Sequence, residues 1–319
     1  MNGEQDQSGF LVDKKLLKRL NKCTNLPSPP NIAMRIIEMA QDPEIDIGKV
    51  AEVVSLDPAL AAKVLRVTNS PIYALRRKTD NLHQAIMLLG LNGTLTLALS
   101  FSLVGAIGDA DGQSFDYEFF WKRSLVAAIC CQRLGSVMEG MPKEELFLAG
   151  LLQDIGMLAL DKADPDFYKG MEVNYQDHQS VQEKEQELLG ADHAQIGSWL
   201  LQQWNLPERL QCVVAGSHDP QVDGIPEVYL PLVNCVSVSS LLADAALVAD
   251  AARSPAFDKA AEIIEQRLGL EREDLDSLIA LLDTDLQEAQ EMYEMDLQDF
   301  SFSESLLDQA RETLMLRNL

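Results

Sequence analysis

The chain has few aromatic residues and few basic residues, and each shortage excludes a class of protein. Phenylalanine, tryptophan and tyrosine make up 6% of its 319 residues, although apolar residues in all make up 47%. A core rich in leucine and alanine but poor in aromatic side chains favours helices over sheets. Only 26 lysines and arginines oppose 50 aspartates and glutamates, which gives a formal net charge of −24. So acidic a chain repels nucleic acid and anionic membrane surfaces, and we expect neither as a partner.

The sequence also has no CxxC motif and no signal-peptide pattern. The five cysteines form no CxxC pair, and most lie in apolar runs, so we interpret them as reduced thiols. The N-terminal MNGEQDQSGF lacks the apolar stretch of a signal peptide. The long apolar run LLGLNGTLTLALSFSLVGAIG contains glycines and hydroxyls, which predicts two buried helices with a turn at 91–93 instead of a membrane span. These features predict a cytoplasmic protein.

What the sequence does have is helical periodicity along almost its whole length. Asp57-Pro58 is an N-cap followed by proline at the first helical position, and LPSPP at 26–30 separates two periodic segments. The stretch GDADGQSFD at 108–116 has no periodicity and marks a boundary between two subdomains. Long helices joined by short polar loops predict an all-α fold.

The stretch GLLQDIGMLAL at 150–160 raises the question whether the chain binds a metal and catalyses hydrolysis. It places Gln153 and Asp154 side by side in what we interpret as one apolar helix, where a polar pair is costly without a partner. With histidine at position 153 it would look like the metal-binding helix of a hydrolase. Such an enzyme needs several histidines and aspartates that converge on one ion and leave a position open for water.

The chain has only four histidines, at positions 83, 178, 193 and 218. We interpret His83 and His178 as surface or local-structure residues, since His178 stands in the polar segment QDHQS. His193 begins a predicted helix and His218 lies in a predicted loop, and each alone is more often structural than a ligand. No GxSxG, P-loop or glycine-rich dinucleotide motif is present to suggest another catalytic chemistry.

Several separated motifs resemble the HDOD domain, a helical relative of the HD phosphohydrolases, in the right order. They are LPSPP, the Asp57-Pro58 helix start, KVLRVTNSP, FWKRSLVAA, FLAGLLQDIGMLAL and LLGADHAQIGSWLLQQWNLPERL. The resemblance covers residues 14–255. It implies a multi-helix HDOD fold, with an N-terminal helical subdomain (14–107) packed on an HD-like helical subdomain (115–255). We expect a disordered N-terminus at 1–13 and an acidic helical extension at 256–319.

The resemblance also implies a metal site that has lost its ligands. Arg123 and Gln153 stand where the family's active relatives have histidines, Asp154 is kept, and the last aspartate falls at Ser239, Ser240 or Asp244. His193 and His218 resemble secondary histidines of HD-type phosphodiesterases. We therefore expect a degenerate site without metal or other cofactor, and no enzyme activity. We hypothesise that Arg123 pairs with Asp154 where the metal was, the alternative being that Arg123 points to solvent.

The function that the resemblance implies is a non-enzymatic bacterial signalling or regulatory domain that acts through a protein partner or an attached output domain. A GGDEF diguanylate cyclase is the output domain suggested by analogy. Two alternatives stay open. One is a residual metal phosphohydrolase with Asp154, His193 and His218 as ligands. The other is a nucleotide-binding module without turnover, whose phosphate contacts would come from a set of basic residues: Arg76, Arg77, Lys78 and Arg123.

The last predicted helix, in SESLLDQARETLMLRNL, carries one stripe of spaced residues: Leu307, Ala310, Leu314 and Arg317. This stripe suggests a homodimer through a parallel coiled coil, although it spans little more than two heptads. A helix that reaches the last residue either frays there or leads on to another domain.

Overall fold

The computed structural model describes residues 14–23, 26–69, 78–106, 115–171, 177–219, 224–247, 255–298 and 300. Helices form throughout these residues, and no strand occurs among them, so the predicted all-α class is confirmed. Residues 1–13, Arg76, Arg77 and the predicted terminal helix after position 300 lie outside the described residues.

Five helices form the N-terminal part of the described chain. They are α1 (Lys14–Leu20), α2 (Asn31–Ala40), α3 (Ile47–Ser55), α4 (Pro58–Thr68) and α5 (Leu82–Ala106). Helix α5 packs against α2, α3 and α4. Gly90 bends α5 with φ 76° and ψ 165°, a left-handed φ that glycine adopts without a steric penalty. The predicted turn at 91–93 is therefore wrong by one residue, and the chain returns to helix directly after the bend.

The helices that follow build the rest of the fold. They are α6 (Tyr117–Val137), α7 (Lys143–Leu152), α8 (Ile155–Ala163), α9 (Phe167–Gly170), α10 (His178–Leu189), α11 (His193–Gln203), α12 (Glu208–Ala215), α13 (Leu230–Ala246), α14 (Pro255–Ile263) and α15 (Arg272–Tyr293). Helix α6 is central, since α7, α13 and α15 all pack against it. One continuous apolar core extends from Leu16 to Phe300. The predicted boundaries at 107, 115 and 255 stay predictions.

Aspartate caps account for where many of these helices begin. The side chains of five aspartates accept hydrogen bonds from backbone N–H groups in the first turn: Asp46, Asp57, Asp116, Asp177 and Asp192. Each satisfies an amide that the helix itself leaves unpaired, and each places a negative charge at the positive end of the helix dipole. Part of the acidic surplus of the sequence therefore has a structural role.

The stretch GLLQDIGMLAL is not one helix, which corrects our interpretation of the sequence. Helix α7 ends at Leu152 and α8 begins at Ile155, so Gln153 and Asp154 lie at the junction between them. The Asp154 side chain accepts no capping hydrogen bond from α8. It is directed instead into a buried cluster, and the break in the helix gives it that direction.

Two glycines flanking this junction allow unusually close helix packing. A Cβ atom on Gly150 would lie 2.9 Å from the Cα of Ala128 in α6. A Cβ atom on Gly156 would lie 2.0 Å from the carbonyl oxygen of His193 in α11. Both contacts are with backbone atoms that cannot move aside cheaply. The glycines thus bring Asp154 against α6 on one side and the start of α11 on the other.

Two segments, Leu82–Val104 and Glu227–Ala246, are long and apolar enough to cross a membrane by length and composition alone. However, 61% and 67% of their most apolar windows are buried inside the fold, as in the core helices of a soluble protein. This is weak support for a membrane span, and the cytoplasmic location stays a prediction.

Candidate metal centre

Four side chains from separate parts of the chain converge at one buried point. Asp154 comes from the α7–α8 junction, His178 and His193 are the first residues of α10 and α11, and His218 follows α12. Asp154 Oδ1 lies 3.3 Å from the Nε2 atom of His178 and 3.4 Å from those of His193 and His218. The three Nε2 atoms are 3.1, 3.4 and 2.7 Å from one another.

These distances fit a single tetrahedrally coordinated ion. In a regular tetrahedron with an edge of about 3.2 Å the centre lies about 2.0 Å from each corner, which is the usual length of zinc–imidazole and zinc–carboxylate bonds. Asp154 is 1% exposed, and its Oδ1 atom has no hydrogen-bond partner. A buried carboxylate oxygen without a partner is costly, and a cation among the four atoms would remove that cost. The residues present therefore fit a divalent metal.

The far side of His193 is held by a buried carboxylate. Glu185 in α10 accepts hydrogen bonds of 2.7 Å from the backbone N–H of His193 and 2.6 Å from its ring Nδ1. Tyr168 donates a hydrogen bond of 2.7 Å to the other oxygen of Glu185. Since Nδ1 donates to Glu185, Nε2 is left to present its lone pair to the cluster. A carboxylate behind a ligand histidine in this way is a common feature of protein metal sites.

The second oxygen of Asp154 is bound by Arg123 from α6. The Arg123 Nη1 atom donates to Asp154 Oδ2, so the hypothesised pair is present and Arg123 does not point to solvent. Its Nε and Nη2 atoms donate to Asp244 Oδ1 at 2.9 and 2.8 Å, and Nη2 also donates to Ser240 Oγ at 2.9 Å. The guanidinium therefore lies on the side of Asp154 away from the histidines and leaves the histidine side open.

The charges of the cluster call for a further cation. Three carboxylates, Asp154, Glu185 and Asp244, oppose one guanidinium, which leaves a formal charge of −2 when the imidazoles are neutral. Burial lowers the pKa of His193, but Glu185 and Asp154 raise it more, to about 10. The site without metal thus draws a proton onto a ligand histidine. A divalent ion would supply the missing charge and displace that proton.

Other groups in the cluster keep the protonation that a metal site needs. Burial would raise the pKa of Asp154, but the charge of Arg123 and the nearby His178 imidazole hold it well below its usual value. Burial and the nearby Arg123 hold the pKa of His178 well below its usual value. Asp154 is therefore ionised and His178 is neutral near pH 7, as ligation requires.

One face of the cluster opens to a cavity of about 340 Å³. His178, His218 and Asp244 form the wall nearest the cluster, and the remaining walls come mainly from α10, α13 and α14. Burial raises the pKa of Asp244, although Arg123 opposes the rise. A small molecule in this cavity would therefore meet two of the four candidate ligands and the Asp244 carboxyl group.

The structure brings together only some of the residues that the sequence suggested. Arg123, Asp154, His193 and His218 lie in or against the cluster, whereas Gln153 is buried beside Asp154 and takes no part in the four-atom group. Both polar atoms of the Gln153 side chain lack hydrogen-bond partners among the described residues. Lys78 is exposed and is not among the residues that line the cavity.

Sequence reasoning missed His178 and Glu185. We interpreted His178 as a surface residue of a polar turn, but it is 5% exposed and belongs to the cluster. One signal was available in the sequence, because each of the three histidines is adjacent to an aspartate, in Asp177-His178, Asp192-His193 and His218-Asp219. In the first two pairs the aspartate caps a helix and the histidine is its first residue.

Comparison with known proteins agrees with this fold and site. The sequence profile of the HDOD domain matches residues 26–220. An "Uncharacterized protein" of Treponema pallidum (strain Nichols) is 22% identical over 230 residues, which cover 69% of this chain and 42% of that relative. The matched region thus spans less than half of the relative's length.

Two crystal structures superpose over 88% of this chain. One, from Shewanella amazonensis SB2B, is described as a "Putative phosphohydrolase", with 27% identity, a TM-score of 0.65 and 97% of its chain covered. The other, from Marinobacter aquaeolei VT8, is described as a "Putative signal transduction protein", with 25% identity, a TM-score of 0.61 and 65% of its chain covered.

The prediction that the chain is not an enzyme because its metal ligands are lost is wrong. It rested on Arg123 and Gln153, the positions where histidines were expected. The cluster instead takes its imidazoles from His178, His193 and His218 and combines them with Asp154. The Shewanella protein that is described as a "Putative phosphohydrolase" has a similar fold at 27% identity.

Proposed function

Because this chain belongs to the HDOD domain family, we propose that it is a metal-dependent phosphohydrolase that cleaves a small phosphate ester. The observation that carries the proposal is the unpaired Oδ1 atom of buried Asp154, which faces three imidazole Nε2 atoms at 3.3–3.4 Å. The name of the similar Shewanella protein supports it.

Asp154, His178, His193 and His218 would hold the ion. Imidazole and carboxylate ligands suit zinc, iron and manganese. A divalent ion bound there supplies Lewis-acid activation of water and of a phosphoryl oxygen. Since Arg123 already binds Asp154 Oδ2, that oxygen is not free to bridge to a second ion, and we expect one metal per chain.

The surrounding residues prepare the site and handle protons. Glu185 orients His193 through Nδ1, and Arg123 fixes the carboxylate plane of Asp154. Asp244 lines the cavity, and its Oδ1 atom is bound by Arg123, so its Oδ2 atom can hold or donate a proton. A raised pKa suits that group to protonate the leaving oxygen of a substrate in the cavity.

A second candidate function is favoured by the closed shape of the ligand set. Four protein ligands around a tetrahedron are typical of structural zinc sites, whereas catalytic zinc sites keep a position open. The chain would then be a signalling module that holds a metal, binds a ligand without turnover and acts on a protein partner or an output domain such as a diguanylate cyclase. The name of the Marinobacter protein agrees with this role.

Hydrolysis assays on metal-loaded protein separate the two functions. The protein is loaded with manganese, iron or zinc and tested on p-nitrophenyl phosphate and bis(p-nitrophenyl) phosphate. The phosphohydrolase predicts turnover that Asp154→Asn abolishes. The matched control is Asp164→Asn, at the exposed C-terminal end of α8, which should leave turnover unchanged. Tight metal binding with no turnover by any of the three ions would favour the signalling module.

A further inference from the structure

The cavity beside the candidate metal centre has a wall that the HDOD match does not account for. His178 and His218 lie within the matched residues, but α13 and α14 lie beyond residue 220. Ser237, Ser240 and Asp244 from α13 and Lys259 from α14 also line the cavity. Several residues that could contact a ligand here therefore lie outside the part of the chain that the HDOD profile matches.

Ser217 is the feature of the cavity that points most directly to a ligand. It lines the cavity, its side chain is fully buried at 0% exposure, and its Oγ atom has no hydrogen-bond partner among the described residues. A buried hydroxyl without a partner costs free energy, whereas a ligand oxygen would satisfy it. Ser217 also directly precedes His218, and both residues line the cavity.

Lys259 supplies the positive charge of the cavity. Among the described residues that line it, Lys259 is the single lysine or arginine, and no described group forms an ion pair with it. Asp177 and Asp244 also line the cavity, and the chain as a whole is strongly acidic. With one lysine beside two carboxylates, the lining can offer one ion pair to one phosphate group, but a triphosphate would meet net repulsion.

The size and lining of the cavity limit the rest of the ligand. A volume of about 340 Å³ is near the lower end of the usual range for small-molecule sites, roughly 300–1,000 Å³. The side-chain N–H groups of Gln179 and Gln182 donate to Glu183 and Asp192, which leaves their carbonyl oxygens to accept from ligand hydroxyls or a base. Leu241 and Pro255 offer apolar surface. A ligand with one phosphate and one compact polar body fits this description, whereas a dinucleotide exceeds it.

We propose that Ser217 and Lys259 recognise the phosphate of a small monophosphate ester, no larger than a nucleoside monophosphate, in the cavity lined by His178, His218 and Asp244. This inference rests on the proposed function, since it names the substrate class of the same site. Ser217 donates a hydrogen bond to the phosphate, and Lys259 from the C-terminal extension pairs with its charge.

The test measures binding apart from catalysis. The probe is a phosphonate analogue of adenosine 5′-monophosphate, whose C–P bond resists hydrolysis, and it is titrated calorimetrically into metal-loaded and metal-free protein. Ser217→Ala and Lys259→Gln should each weaken binding about tenfold. Two matched controls should leave the affinity for the analogue unchanged. Ser100→Ala changes a buried serine whose hydroxyl bonds to its own helix, α5, and Arg267→Gln changes an exposed basic residue that follows α14.

Metal content and melting temperature separate this inference from other failures. Neither Ser217→Ala nor Lys259→Gln should change metal uptake or melting temperature, because Ser217 has no hydrogen-bond partner and Lys259 no ion pair among the described residues. Three results would overturn the inference. They are equal affinity in both variants and wild type, no binding of the analogue by wild type, and tighter binding of a cyclic dinucleotide than of the analogue. If the protein takes up no metal, the proposed function fails. Titration of the metal-free protein then still tests, by the same affinities, whether Ser217 and Lys259 bind a phosphate.

Discussion

Replacing Glu185 by glutamine perturbs the metal centre without touching a ligand. Glu185 is fully buried and accepts three hydrogen bonds, two from His193 and one from Tyr168. Glutamine keeps the size of the side chain but removes its negative charge and turns one acceptor into a donor. The Nδ1–H group of His193 then faces a neutral partner, and its Nε2 atom becomes a weaker base toward a metal.

The expected magnitude follows from the position of Glu185 behind a ligand histidine. Loss of such a partner typically lowers metal affinity 10- to 100-fold, or about 1.4–2.7 kcal/mol. A larger loss is not expected, because Asp154, His178 and His218 keep their own positions in Glu185→Gln.

Competition with a coloured chelator measures the zinc affinity of wild type and variants at fixed pH. Glu187→Gln is the matched control, since Glu187 lies two residues further along α10 and pairs with Lys184 at the surface. Its affinity should equal that of wild type. Equal zinc affinity in Glu185→Gln and wild type would refute the reasoning that Glu185 orients a metal ligand. The helical circular dichroism signal shows separately whether a variant has lost its fold.

Three further predictions concern stability. Arg123→Met removes the guanidinium that pairs with buried Asp154 and partly buried Asp244, and it should lower the free energy of unfolding of metal-free protein by about 3–5 kcal/mol. A loss under about 1 kcal/mol in urea titrations, as expected for the half-exposed Arg209→Met, would contradict it. Gly156→Ala forces a Cβ atom against the carbonyl of His193 and should cost at least about 1–3 kcal/mol and reduce metal uptake, whereas Gly93→Ala meets only the flexible Glu144 side chain and should be tolerated. Because the pKa of His193 is raised to about 10, its protonation stabilises the metal-free fold fully below about pH 6.5, and that stability should be lost as the pH rises through about 10. Urea titrations of wild type and His193→Gln at a series of pH values in this range measure the loss. The free energy of unfolding should fall more steeply with pH in wild type than in the variant, and an equal or smaller fall in wild type would count against the prediction.

The helices were largely predictable because local rules determine them. Asp57 before Pro58 predicted the start of α4, and the apolar period of 82–106 predicted buried helix on both sides of a bend. The bend itself falls at Gly90, where the sequence offered two neighbouring glycines and no local reason to choose between them. Such choices depend on how α5 packs against its neighbours.

The site was predictable only in part, because its ligands are distant in sequence. Asp154 and His218 are 64 positions apart, and nothing local to either indicates that they meet. Resemblance directed attention to Arg123 and Gln153, where ligands are missing, and away from His178, where one is present. The helix break at Gln153-Asp154 was also missed, since apolar residues on both sides conceal it and the glycine contacts that stabilise it involve α6 and α11.

Metal content tests the central claim most directly. The protein is purified without chelator or affinity tag, incubated with manganese, iron or zinc, and measured by elemental mass spectrometry alongside Asp154→Ala. The four converging ligand atoms predict about one ion per wild-type chain and almost none in the variant. Sub-stoichiometric metal in wild type, unchanged by incubation with any of the three ions, would contradict the existence of a metal centre at Asp154.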